Sequence, residues 1–135
     1  MKSIAIVSLD DLLAKSTAEK LATELKWKFL DLASELEKIL ILNIRSHLLD
    51  NSIIEKKEQR LIEVSAQQKN VVMSIANDMF LSNSNYELLK KTEIILIEQS
   101  FDDKIKTNLQ NLIKKHSTKT INKKDVNNII AYLKG

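Results

Sequence analysis

Two rhythms of apolar residues alternate along this chain. Short runs rich in apolar and β-branched residues, Ser3–Ser8 (SIAIVS), Lys28–Leu32 (KFLDL), Asn70–Ile75 (NVVMSI) and Glu93–Glu98 (EIILIE), have the length and composition of buried strands. Between them the spacing changes to three and four. Leu13, Thr17, Leu21 and Leu25, with Ala14, Ala18 and Ala22, predict an amphipathic helix over Asp10–Lys26. Leu36, Ile39, Leu40 and Asn43, then Ile53, Ile54, Lys57, Leu61 and Val64, predict helix from Ala33 to about Gln68, broken into two at the turn-favouring Leu49-Asp50-Asn51-Ser52. Asn83–Lys91 reads as a short helix capped by Ser82, Asn83 or Ser84. Phe101–Lys115 reads as a helix through Ile105, Leu109, Leu112 and Ile113. Thr118–Ile121 reads as an edge strand, and Asn122–Lys134 as a closing helix with Val126, Ile129, Ile130 and Leu133 inward.

Strand and helix thus alternate from end to end, which argues for a three-layer α/β/α domain with a mostly parallel sheet of about five strands. An all-α fold is the competing reading, because apolar runs this short are ambiguous by pattern alone. Their β-branched content and regular spacing favour the sheet. With no repeat, no low-complexity linker and no sustained heptad, residues 1–135 are expected to form one domain.

Composition narrows the chemistry. Apolar residues make up 44% and charged residues 29%, as in a folded globular chain. Cysteine is absent, which removes disulfides, thiolate metal sites and thiol nucleophiles. His47 and His116 stand alone without ligand spacing, so each is expected to be solvated or capping, and no metal is expected. The apolar run after Met1-Lys2 is too short for a signal-peptide core or a membrane span, so a cytoplasmic protein without membrane contact is expected. The net charge of +3 is small but uneven, with eight lysines against three aspartates from Phe101 onward. No stacking aromatics or groove-reading motif accompany those lysines, so they read as a solvated helix face and not as a nucleic-acid surface. The sole glycine is Gly135, and proline is absent. Internal turns must therefore place Asn, Asp, Ser or Lys wherever φ is positive.

Lys15-Ser16-Thr17, followed by AEKLATELKWKFLDL, resembles the opening of shikimate kinases: a strand, a phosphate loop ending in Gly-Lys-Ser-Thr, a helix, and a strand ending Phe-x-Asp-x-Asp. Asn70–Lys91 (NVVMSIANDMFLSNSNYELLKK) resembles that family's strand, triple-glycine turn and following helix. Thr120–Lys134 (TINKKDVNNIIAYLK) resembles its closing helix. The resemblance implies a P-loop-kinase-like fold with strand order 2-3-1-4-5. It also places Lys15, Ser16 and Thr17 at phosphate-loop positions, and Asp31 at the first aspartate of the metal and substrate pair.

The chemical residues depart from that pattern. Leu9, Leu12 and Ala14 stand where the loop has glycines, and a left-handed conformation costs a residue with a Cβ roughly 1–2 kcal/mol. Asp10 and Asp11 bring negative charge to the cradle and read instead as helix-capping acids, with Ser8 as another possible cap. Ala33 replaces the second aspartate, Glu55 falls at the substrate-binding arginine, and Ala76-Asn77-Asp78 replace the triple glycine. Gln99–Lys119 carries no lid arginine. The two arginines of the chain, Arg45 and Arg60, lie at no matching place. Phosphoryl transfer rests on positioning and positive charge. The expectation is therefore a protein that is not an enzyme: a catalytically inactive, shikimate-kinase-like interaction or regulatory component, without cofactor, binding neither ATP nor shikimate. Its expected partner is a protein, met through Leu9, Leu12, Leu13, Met79 and Phe80 on the former substrate face. One alternative is a non-catalytic protein that binds shikimate or a nucleotide. Another is an active but atypical small-molecule kinase.

Overall fold

The computed structural model describes residues 2–45 and 51–134. His47 and part of the expected break at Leu49–Ser52 lie outside them. Five parallel strands form one sheet in the order β2-β3-β1-β4-β5, as the resemblance implied. They are β1 (Ile4–Val7), β2 (Lys28–Asp31), β3 (Val71–Ser74), β4 (Glu93–Glu98) and β5 (Lys119–Asn122). The helices are α1 (Asp11–Leu25), α2 (Leu32–Arg45), α3 (Asn51–Gln67), α4 (Asn77–Leu81), α5 (Lys104–Lys115) and α6 (Ile129–Lys134). No helix among the described residues is long and apolar enough to cross a membrane.

Side chains alternate across a strand, so consecutive residues of the central strands feed opposite layers. Ala5 and Val7 of β1 and Ile94 and Leu96 of β4 join a core with Leu32, Ile62, Met73, Phe80 and Leu89. Ile4, Ile6, Ile95 and Ile97 face the other way, onto Ala14, Ala18, Leu21 and Ala22 of α1 and Ile129 of α6. The small alanines of α1 let that helix lie close against the sheet. The all-α reading is thereby excluded.

The structure corrects two segments. The expected helix over Asn83–Lys91 begins earlier, at Asn77, and passes at Ser82–Leu89 into a 3-10 segment without a side-chain cap. Asn83 (φ 51°) and Ser84 (φ 56°) are left-handed there, a job glycine usually does. The closing helix is likewise 3-10 over Lys123–Asn128 before α6. Lys26 (φ 60°) and Asn70 (φ 57°) are also left-handed, in the turns after α1 and before β3. Lys26 ends α1 by donating its backbone amide to the Ala22 and Thr23 carbonyls.

Candidate functional site

In a parallel α/β sheet, ligands bind beyond the carboxyl ends of the strands, where loops and helix N-termini converge. Here that edge gathers Ser8–Leu13, Asp31, Ser74–Asp78 and Gln99–Phe101. The turn from β1 into α1 is short. Asp10 has extended backbone (φ −97°, ψ 99°), and its Oδ1 accepts from the Leu13 amide at 3.2 Å. The Ser8 hydroxyl accepts from the Asp10 amide at 3.1 Å. Asp10 is thus the cap, with Ser8 supporting it. The left-handed residues found among those described all lie outside this turn.

Asp11 does a second job. Its Oδ1 accepts from both the backbone amide and the side-chain amide of Asn77, each at 3.0 Å. The same Asn77 side chain approaches the Leu9 carbonyl at 3.4 Å. These bonds latch the head of α1 to the head of α4. Asn77 stands at a glycine of the family pattern, and its partner Asp11 has no signal in the sequence, because nothing local links positions 66 apart.

Lys15, Ser16, Thr17 and Asp31 divide into three environments. The Lys15 ammonium lies 3.7 Å from an Asp31 carboxylate oxygen. Asp31 also accepts from the Ser34 hydroxyl at 2.6 Å and the Ser74 hydroxyl at 2.9 Å. Ser74 sits beside Asp31 because β2 and β3 pair in that register. The Ser16 hydroxyl turns back to the Leu13 carbonyl at 3.2 Å, and Thr17 is buried against the sheet. A polar cluster of Lys15, Asp31, Ser34 and Ser74 therefore survives. Ser34 and Ser74 were not foreseen, although Ser74 follows from the parallel register.

The proposed contact residues separate as well. Leu12 is 78% exposed. Leu9 and Leu13 are half-buried, each packed on one of the two cores. Phe80 is fully buried in the core, which corrects the expectation of a contact there, whereas Met79 is buried but reaches the wall of a cleft. The five-residue α4 turns both inward beneath Asp78. His116 ends α5 and stacks on Tyr86, with ring centroids 3.6 Å apart.

Three clefts open along this edge. The first, of about 650 Å³, lies between α2, α3 and α4. Among the described residues, Asp11, Glu37, Glu58 and Asp78 line it together with Leu36, Leu40, Ile41 and Met79, and no lysine or arginine does. Burial pushes the Glu58 carboxyl above its ordinary range, and Asp78 and Glu55 add to the rise against a hydrogen bond from Asn85. The second, of about 630 Å³, is polar and basic, lined by Gln99, Asn122, Lys123, Lys124 and Asn127 among others. The third, of about 430 Å³, lies at the head of α1 between Leu12, Phe101 and Lys106. Among the described residues, no three His, Asp or Glu side chains are placed to hold a metal ion.

This architecture has known counterparts. The model of the family described as shikimate kinase matches residues 14–132. The chain belongs to the shikimate kinase family. Solved structures agree in fold. The shikimate kinase of Aquifex aeolicus superposes with a TM-score of 0.75 at 18% identity, covering 98% of this chain and 96% of that one. That of Bacteroides thetaiotaomicron gives 0.72 at 12% identity, covering 99% of each. The Acinetobacter baumannii enzyme, solved in complex with shikimate, gives 0.72 at 13% identity, covering 98% of this chain and 93% of that one. No curated protein matches.

The expectation that the chain is not an enzyme is corrected by this finding. The family it belongs to, and the neighbours that share its fold, are kinases. The correction concerns family and fold. At the head of α1 the Leu13 amide donates to the Asp10 carboxylate.

Proposed function

We propose that this member of the shikimate kinase family is an interaction or regulatory component that meets a protein partner across its strand-top edge. One observation carries the reading. Asp10 supplies the negative charge that the N-terminus of α1 favours, and Leu12, the second residue of that first turn, stands in water, 78% exposed. An isolated exposed leucine is ordinary. This one rims a cleft together with Phe101 and stands where the family pattern has a phosphate-binding glycine. The test compares Leu12→Asp with the unmodified chain in affinity capture from native lysate, with light scattering to report assembly. The same partner is expected in replicate captures, and is expected to be lost with Leu12→Asp. A monomer that captures nothing reproducibly, or a variant that captures the same protein, would overturn the reading.

A second reading is favoured by the cluster of Lys15, Asp31, Ser34 and Ser74. Its charges and hydroxyls suit a small polar ligand such as shikimate or a nucleotide. A ligand that binds the native state must raise the melting temperature. Thermal shift with shikimate, ATP and ADP at millimolar concentration tests it, and no rise would sink it. A coupled phosphoryl-transfer assay belongs beside it. Turnover that disappears with Lys15→Ala would put this reading first and make the chain an atypical small-molecule kinase.

A further inference from the structure

The cleft between α2, α3 and α4 has an unusual pairing of properties. Its floor is aliphatic, with Leu40 half-buried and Ile41 45% exposed on α2. Among the described residues the charged groups of its rim are all acidic, with Glu37 from α2, Glu58 from α3 and Asp78 from α4, and Ser82 beside them. Asp11 adds a fourth carboxylate, held by Asn77, which is neutral and leaves its charge in place. An anionic ligand meets repulsion from three sides. A small hydrated cation satisfies the rim but leaves the aliphatic floor wet. What matches both is an apolar strip flanked by lysines or arginines, the surface of a basic amphipathic helix. Leu36 and Leu40 lie one helical turn apart on α2, the spacing at which a partner helix presents its own apolar residues. We infer that this groove docks a lysine-bearing amphipathic helix of a protein partner. The inference rests on the interaction reading above and adds to it where the partner lies and what charge it carries.

Charge complementarity sets both rate and selectivity here. Opposed charges speed encounter and exclude partners of the wrong sign, and the effect weakens as salt rises. A cation seated on Glu58 also opposes the desolvation that raises its pKa, so binding draws that carboxyl back towards the ionised form. Binding therefore weakens as pH falls through the range where Glu58 takes up its proton.

The test uses the full chain and fluorescently labelled model peptides of about 18 residues, or five helical turns. One is a Leu/Lys amphipathic helix, one a Leu/Glu helix of the same pattern, and one a scrambled Leu/Lys sequence without an apolar face. Fluorescence anisotropy is expected to show saturable binding of the first, with the other two at least about ten-fold weaker, a difference of about 1.4 kcal/mol. Glu37→Lys with Glu58→Gln is expected to weaken the Leu/Lys peptide by about ten-fold or more. Glu19→Lys with Glu24→Lys, on the exposed face of α1, is expected to change it less than about two-fold. Circular dichroism establishes that both variants are folded. Equal binding of the Leu/Glu peptide, binding that survives the groove variant, or no binding by any peptide would each overturn the inference. So would spermidine that raises the melting temperature while the Leu/Lys peptide fails to bind, since the groove would then be a small-cation site. Lysate capture separates the two claims. A partner lost with Leu12→Asp but retained by the groove variant keeps the interaction reading and removes the groove.

Discussion

Asp10 and Glu58 show how one carboxylate can stabilise this fold while another strains it. Asp10 accepts an amide that helix geometry leaves without an intrahelical partner, and its charge opposes the positive end of the α1 dipole. Removing such a cap costs about 1 kcal/mol, so Asp10→Ala is expected to lower the urea unfolding free energy by roughly that amount. Asp10→Ser should recover most of the loss. Equal destabilisation by Ala and Ser would mean that the hydrogen bond to Leu13 contributes nothing. Glu58 has the opposite sign. Its folded pKa is raised above the ordinary value, chiefly by burial, so the native form binds the proton more tightly than the unfolded chain. Folding is therefore penalised when Glu58 is ionised. The penalty is relieved as pH falls through the raised folded pKa and is gone below the unfolded value of about 4.5. Glu58→Gln keeps an oxygen for Asn85 and loses the charge. It is expected to melt higher than the unmodified chain at pH 7.5, with the gap closing towards pH 4.5. A gap that does not change with pH would refute the assignment. Asp10 as a capping acid was legible in the sequence, because Ser, Asp and Asn ahead of a helical rhythm are cap signals. The state of Glu58 was not, since it depends first on burial and then on Asn85 and Asp78 from other elements.

At the level of elements, α1 and α4 act as a unit because Asp11 and Asn77 join their N-termini. A hydrogen bond to a charged acceptor is worth about 1.5–3 kcal/mol when shielded, and less at an exposed site such as this one. Asp11→Ala and Asn77→Ala in a double-mutant cycle are expected to show a coupling of about 0.5–1.5 kcal/mol. Additive losses would mean that the latch is a contact without energetic weight. The same pairing explains why the expected helix over Asn83–Lys91 starts instead at Asn77. The bond from the Asp11 carboxylate satisfies the first amide of α4, where propensity alone favoured a later start. It also turns Met79 and Phe80 into the core. Phe80 is fully buried, so Phe80→Ala is expected to cost about 3–5 kcal/mol and to act on folding before any binding is measured. A well-folded Phe80→Ala chain that has lost a partner would restore Phe80 as a contact residue. Short apolar elements hide their direction from the sequence. Met79 and Phe80 each read more readily as core than as a contact surface, and the direction of α4 decides between the two.

Over the whole molecule, architecture was more legible than chemistry, for a physical reason. The alternation of strand and helix rhythms runs along the chain without any internal glycine. Strand order and parallel pairing followed from that rhythm and from the resemblance. The acidic groove assembles Glu37, Glu58 and Asp78 from three helices, and no spacing within one segment announces it. The same distinction gives a test of the three-layer packing. Leu96 and Ile97 are neighbours on β4, both fully buried, yet Leu96 joins the core with Phe80 and Ile97 the core with α1. In a two-layer protein one of the pair would face water and tolerate truncation. With helices on both faces, Leu96→Ala and Ile97→Ala are each expected to cost about 2–5 kcal/mol in urea unfolding. They draw on different clusters, so the losses should nearly add. Their sum approaches the whole stability of a domain this size, about 5–15 kcal/mol, and the double variant is expected to be largely unfolded at 25 °C. A mild effect at either position would mean that one helical layer does not cover β4. Ile97 lies close to Gln99, whose backbone amide and carbonyl are both bonded by the buried Gln110 side chain of α5 at 3.0 and 2.8 Å. Loosening β4 should therefore also free the Gln99–Phe101 turn. Amide exchange at Gln99 is then expected to accelerate in the Ile97→Ala chain by more than global destabilisation alone predicts.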